Sequence, residues 1–177
     1  MSKRDLKKYL TALTKEQLEE QLVELYEKFS PVKVYYDFVF NPKEDKLLQE
    51  AKVKISHEYF PVKKPNARWR PKAKMRRSVA QKIIKHFISL GVDSFIIADL
   101  MLYNIEIAQT YSSNNFIKQE LFYKSIFNSF EQAVNFLISS GIFHEFKPRV
   151  QAIYQETLQQ KWKNRYDFEA ILDKTEI

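Results

Sequence analysis

The sequence predicts an all-α protein, and three observations carry that expectation. Apolar residues recur at helical spacing through most of the 177 residues. Only two glycines, Gly91 and Gly141, are present, too few for a turn-rich β-fold or a phosphate-cradling loop. The one β-prone run, residues 32–40, has helical segments on both sides and no strand to pair with. The expected architecture is a single irregular bundle of seven or eight helices over residues 1–177, with a short superhelix of stacked helical hairpins as the alternative.

Ser2 and Asp5 open a pattern in which Leu6, Tyr9, Leu10 and Leu13 share one face, predicting a short first helix. Thr14 followed by Gln17 forms a capping box for a second, whose Leu18, Leu22, Leu25, Tyr26 and Phe29 continue until Pro31. Residues 32–40 are assigned to helix. Pro42 suits the first turn of a fourth segment reaching His57 or Tyr59, with Glu44 and Asp45 at its positive end. Pro61, Pro65 and Pro71 then prevent regular structure over about 61–76.

Helix resumes at Ser78, with Val79, Ile83, Phe87 and Leu90 expected inward and Gly91 as the C-terminal cap. Asp93 caps a helix from Ser94 to about Tyr111 that is apolar nearly all round and therefore expected at the centre. The polar run Ser112 to Asn115 should end it. A long helix from about Ile117 to Ser140 follows, its Phe122, Tyr123, Phe127, Phe130 and Phe136, with Ile126, Val134 and Leu137, read as core between two neighbouring helices, a surplus exposed face being the mark of a dimer or partner groove. Pro148 is read as the first turn of a segment reaching Trp162, and a last turn or two lies at 167–172.

Composition narrows function mainly by exclusion. The chain has no cysteine, which removes disulfides, thiolate zinc sites, iron–sulfur clusters and cysteine nucleophiles. A charged start without an apolar core and the lack of any spanning-length apolar run predict a protein of the cytoplasm, bacterial if the source is bacterial, with no membrane association. No cofactor motif is present and no cofactor is expected. His57, His86 and His144 fall on separate segments, without the i, i+4 spacing of helical metal motifs.

Charge is the informative feature. Residues 59–92 contain no Asp or Glu and ten of the 29 Lys and Arg. The rest of the chain holds 19 basic and 22 acidic residues, so the formal +7 is local in origin. Lys63, Lys64, Arg68, Arg70, Lys72, Lys74, Arg76 and Arg77 surround a single Trp69, and Lys82 and Lys85 follow on the next helix. Arginine forks onto phosphate and an exposed indole offers a stacking face to an unpaired base, so these eleven residues form the expected site for nucleic acid or another anionic partner. In the contrary case Trp69 plugs the core and the charges are solvated or paired.

Two further functions compete with a non-enzymatic binding or adaptor protein. One is a protein-interaction or scaffold domain, with the loop docking on an acidic protein surface. The other is an enzyme using Asp99, Tyr103 and Glu106, which share a helical stripe; their contrary reading is a wet edge paired with bases such as Lys82 or Lys85.

The order of segments resembles an uncharacterised family of bacterial all-helical proteins, a domain of unknown function. The resemblance rests on LKKYLTALTKEQLEEQLVELYEKF at 6–29, NPKEDKLLQEAKVKISHEYFP at 41–61, the run from Leu100 to Glu106, and FYKSIFNSFEQAV at 122–134. It implies one helical domain along nearly the whole chain. It implies no activity, substrate or site.

Overall fold

The computed structural model describes residues 2–63, 65–66, 68–69 and 71–174. These form nine α-helices and no strand, so the all-α expectation holds. Two compact units are present, Met1–Lys43 and Glu44–Ile177.

The first unit contains α1 (Lys3–Thr11), α2 (Lys15–Lys28) and α3 (Ser30–Phe40). Both predicted N-terminal signals are realised as complete capping boxes, Ser2 with Asp5 and Thr14 with Gln17. Pro31 occupies the first turn of α3, where its missing N–H costs nothing, so it starts a helix as well as following one. Side-chain hydrogen bonds join the hairpins: Gln21 Nε2 donates to the Tyr9 hydroxyl at 2.6 Å, and the Tyr26 hydroxyl donates to Asp37 at 2.7 Å. No residue of these three helices is buried. The apolar stripe of α2 and the aromatic end of α3 remain exposed, with Leu22, Phe29 and Phe40 the clearest cases.

The second unit contains α4 (Glu44–Tyr59), α5 (Arg77–Leu90), α6 (Ser94–Asn114), α7 (Glu120–Ser139), α8 (Phe143–Gln159) and α9 (Arg165–Asp173). Helix α6 is central and packs against α4, α5, α7 and α8. Its near-uniform apolarity is explained by that position, since Leu100, Leu102, Ile105 and Ala108 are fully buried. Of the core residues expected of the long helix, Phe122, Ile126, Phe130, Val134 and Leu137 are buried in α7, whereas Tyr123, Phe127 and Phe136 are half-buried at the edges of that face. Helix α9 seals one end through Phe168, which lies 4.8 Å from Phe130 and 5.4 Å from Phe127 between ring centroids.

Several boundaries and faces differ from expectation for local reasons. The buried face of α5 keeps the predicted Phe87 and Leu90 but has Ala80 and Ile84 in place of Val79 and Ile83, which are half-buried beside it. Helix α6 runs through Ser112, Ser113 and Asn114 because Ser112 and Ser113 bond the carbonyls three residues back and Asn114 the one four back, prolonging the last turn instead of breaking it. Helix α8 starts at Phe143, so Pro148 lies inside it. The proline leaves the His144 carbonyl without its helical donor at an exposed position. Among the described residues no helix is long and apolar enough to cross a membrane.

Candidate nucleic-acid interface

The first part of the acid-free segment, up to the start of α5, becomes a loop whose two ends are fastened together by one residue. Glu58, in the last turn of α4, accepts at its backbone carbonyl from the Lys74 and Met75 amides at 2.9 and 3.0 Å. Its carboxylate accepts from Arg76 Nε at 2.9 Å and Nη2 at 2.7 Å. These hydrogen bonds hold the Glu58 carboxyl below the usual range for a glutamate. Met75 takes up the turn with φ 51°, a left-handed conformation that a side chain resists. The connection between α4 and α5 is therefore closed at its base.

The cationic residues divide by what they touch. Arg76 is engaged with Glu58. Arg77 donates from Nε to Ser129 Oγ at 3.0 Å and from Nη2 to Gln132 Oε1 at 3.1 Å, tying the start of α5 to α7. Both hold the scaffold in place. Lys63, Arg68, Lys72 and Lys74 are exposed and form no ion pair among the described residues. Lys82 and Lys85 stand exposed on α5. Lys64 and Arg70 lie outside the described residues.

Trp69 is 76% exposed, with the Arg68 guanidinium 5.7 Å from its ring centre. The indole thus does not plug the core. That role belongs to the other tryptophan, Trp162, which is 3% exposed and donates from Nε1 to Gln160 Oε1 at 3.0 Å.

Beneath the loop lies a cleft of about 850 Å³ between the end of α4 and the end of α6. Tyr59, Phe60 and Tyr111 form its aromatic floor, with Phe60 edge-on to Tyr111 at 5.5 Å and Tyr59 at 5.9 Å from it. Lys63 and Lys72 stand at its rim. Burial, reinforced by the Glu58 charge, pushes the Tyr59 phenol far above its ordinary range, so it remains neutral. Sequence reading missed this floor because Tyr59 and Tyr111 read as ordinary helix ends. Glu58 did leave a trace, being the last carboxylate before the acid-free run.

The acidic stripe of α6 is engaged elsewhere. Arg149 of α8 donates from Nε and Nη2 to Glu106 at 2.6 and 2.8 Å and from Nη1 to Asp99 at 2.6 Å. Lys52 of α4 completes the group, 2.6 Å from Asp99 and 5.2 Å from the centre of the Tyr103 ring. The stripe is thus an ion-pair network, with Lys52 and Arg149 as partners in place of the suggested Lys82 and Lys85. Partial burial raises the Asp99 pKa, but the hydrogen bonds and charges of Lys52 and Arg149 outweigh it and the net shift is downward. His57, His86 and His144 remain on α4, α5 and α8, and the described residues contain no group of three His, Cys, Asp or Glu arranged to hold a metal ion.

The family model of DUF6155, a family of unknown function, matches residues 1–176. The chain belongs to this family. No curated protein matches it, and neither does any solved structure. The resemblance to an uncharacterised helical family is borne out over almost the whole chain. DUF6155 membership supplies no substrate or partner.

Proposed function

We propose that this DUF6155 member is a non-enzymatic binding or adaptor protein that engages nucleic acid through its basic loop and the adjacent Lys82 and Lys85, in a bacterial cytoplasm. The observation that carries this reading is the 76% exposure of Trp69 on a loop whose Lys63, Arg68 and Lys72 form no ion pair among the described residues. Burying an indole normally gains free energy, whereas an exposed one beside arginine is available to stack on a base. Lysine and arginine neutralise phosphates and release counterions, giving affinity without sequence preference.

Fluorescence polarisation with labelled DNA and RNA at two salt concentrations tests the reading. Binding should weaken steeply with salt, with a log–log slope of about −0.7 to −0.9 per phosphate contacted. Combined replacement of Arg68, Trp69 and Lys72 by Ala should remove most of the affinity. Equal binding by wild type and variant would sink the proposal.

A second reading, an interaction or scaffold domain, is favoured by the first unit, whose helices bury no residue and expose Leu22, Phe29 and Phe40. Nuclease treatment separates the two, because a protein partner survives it and a nucleic-acid bridge does not.

A further inference from the structure

We infer that the cleft under the basic loop is one end of a track for single-stranded nucleic acid, which continues across the end of α6 to Phe116, Lys118 and Lys161. This rests on the nucleic-acid reading and extends it to residues far from the loop in sequence. A second cavity, of about 770 Å³, lies where the connection after α6 meets the α8–α9 connection. The two cavities share Asn115 in their walls. Each falls in the range of about 300–1,000 Å³ common for small organic ligands, large enough for a nucleotide.

Three features of the second cavity fit a phosphate-linked strand. First, its charge is positive: Lys118, Lys161 and Lys163 line it against the single carboxylate of Glu120, which is 3.6 Å from Lys163 in a fully solvated pair. Second, Phe116 is 89% exposed, an aromatic face with no packing role. Third, the negative end of α6 is covered in part. Of its last four carbonyls, that of Tyr111 accepts from Asn115 Nδ2 at 2.8 Å and that of Ser112 from the Asn115 amide at 3.4 Å, which satisfies groups that otherwise repel an anion.

Together the two cavities offer a cation and an aromatic face, then an amide at Asn115, then another aromatic face and more cations. Alternating stacking faces and cations suit successive unpaired bases and their phosphates. A duplex keeps its base faces stacked internally and cannot use Phe60, Tyr111 or Phe116 in this way, so a single strand is the ligand assigned.

The test compares the full chain with a variant carrying Phe116→Ala, Lys118→Ala and Lys161→Ala. All three positions are exposed, and thermal melting by circular dichroism checks that the fold is retained. Labelled oligo-dT, oligo-rU and a duplex of equal length are titrated at two salt concentrations. Wild type should prefer the single strands, and the variant should lose about tenfold or more of that affinity, with a salt slope smaller by about 1.4 for two lost phosphate contacts. Comparing the dT and rU arms assigns the strand to DNA or RNA. Duplex binding should be unchanged.

Unchanged single-strand binding in this variant, with binding lost when Lys63 and Lys72 are replaced, would refute the track and leave the loop as the whole site. An equal loss for duplex and single strand would overturn the single-strand assignment. Displacement of oligo-dT by polyglutamate at equal concentration would assign the surface to acidic protein instead. Absence of binding to any nucleic acid at low salt would overturn both this inference and the function it rests on.

Discussion

Arg76 grips Glu58 through two parallel hydrogen bonds, from Nε to Oε2 and from Nη2 to Oε1, while the Glu58 backbone carbonyl receives two amides from the same strand of loop. One residue at the end of α4 thus sets where the basic loop returns. Replacing Arg76 with Ala removes the fork and leaves only backbone bonds at the base, so the loop should loosen there while the helices persist. Limited proteolysis should show faster cleavage within 60–76, with little change in helical circular dichroism. Arg76→Lys should rescue only partly, because an ammonium cannot make the planar double contact.

The same contact predicts a pH dependence. Glu58 has its pKa lowered in the folded protein from an ordinary 4.5, chiefly by the Arg76 hydrogen bonds. A depressed carboxylate stabilises the fold above its unfolded pKa, and that contribution is lost as pH falls through the folded value. Loop protection against protease should therefore be complete near neutrality and decline below about pH 4.5. Glu58→Gln should remove the dependence and show the open-loop pattern at pH 7.

Arg149 is the hub of a different group, since it alone neutralises both Asp99 and Glu106. Arg149→Ala removes the guanidinium shared by two partly buried carboxylates and leaves Lys52 on Asp99 only, and should cost about 2 kcal/mol in urea unfolding at pH 7. If the network is purely structural, nucleic-acid affinity of the folded variant should match wild type. A change in affinity larger than the loss of one positive charge explains would show that this face takes part in binding.

The two tryptophans occupy opposite environments and report on different events. Trp69→Phe should leave emission dominated by the buried Trp162, blue-shifted and resistant to iodide. Trp162→Phe should leave a red-shifted, readily quenched signal from Trp69. Addition of oligo-dT should quench the second variant and not the first, as stacking on an exposed indole requires.

Gly91 closes α5 at φ 72°, and a Cβ built there meets nothing within 4 Å. Gly91→Ala should thus cost only the backbone term, about 1 kcal/mol by thermal unfolding. A much larger loss would mean that the αL cap has further contacts.

The helical segments were legible because their signals are local. Capping boxes at Ser2 and Thr14, the Asp93 cap and the Gly91 terminator each act within one turn, and a periodic apolar stripe reports burial without knowledge of its partner. The signals failed where a distant element chose the outcome. Ser112 to Asn114 read as a break but prolong α6, where Gln160 at the end of α8 accepts from the Ser112 hydroxyl and donates to the Gln109 carbonyl. Val79 and Ile83 looked inward until α5 settled on α6 through Ala80 and Ile84. In the candidate site the cations were visible as composition, whereas their division into holders and free groups depended on Glu58, Ser129 and Gln132, up to 55 residues away.

By itself the sequence determined that this is an all-α chain with a positive field concentrated in one proline-interrupted stretch, because helix propensity, capping and net charge are properties of neighbouring residues. Tertiary structure decided that Trp69 is exposed and Trp162 buried, that Arg76 and Arg77 hold the loop in place, and that Tyr59, Phe60 and Tyr111 meet under the basic loop. Those outcomes depend on which surfaces helices bury against one another, and burial is a property of the packed unit that no local window of residues contains.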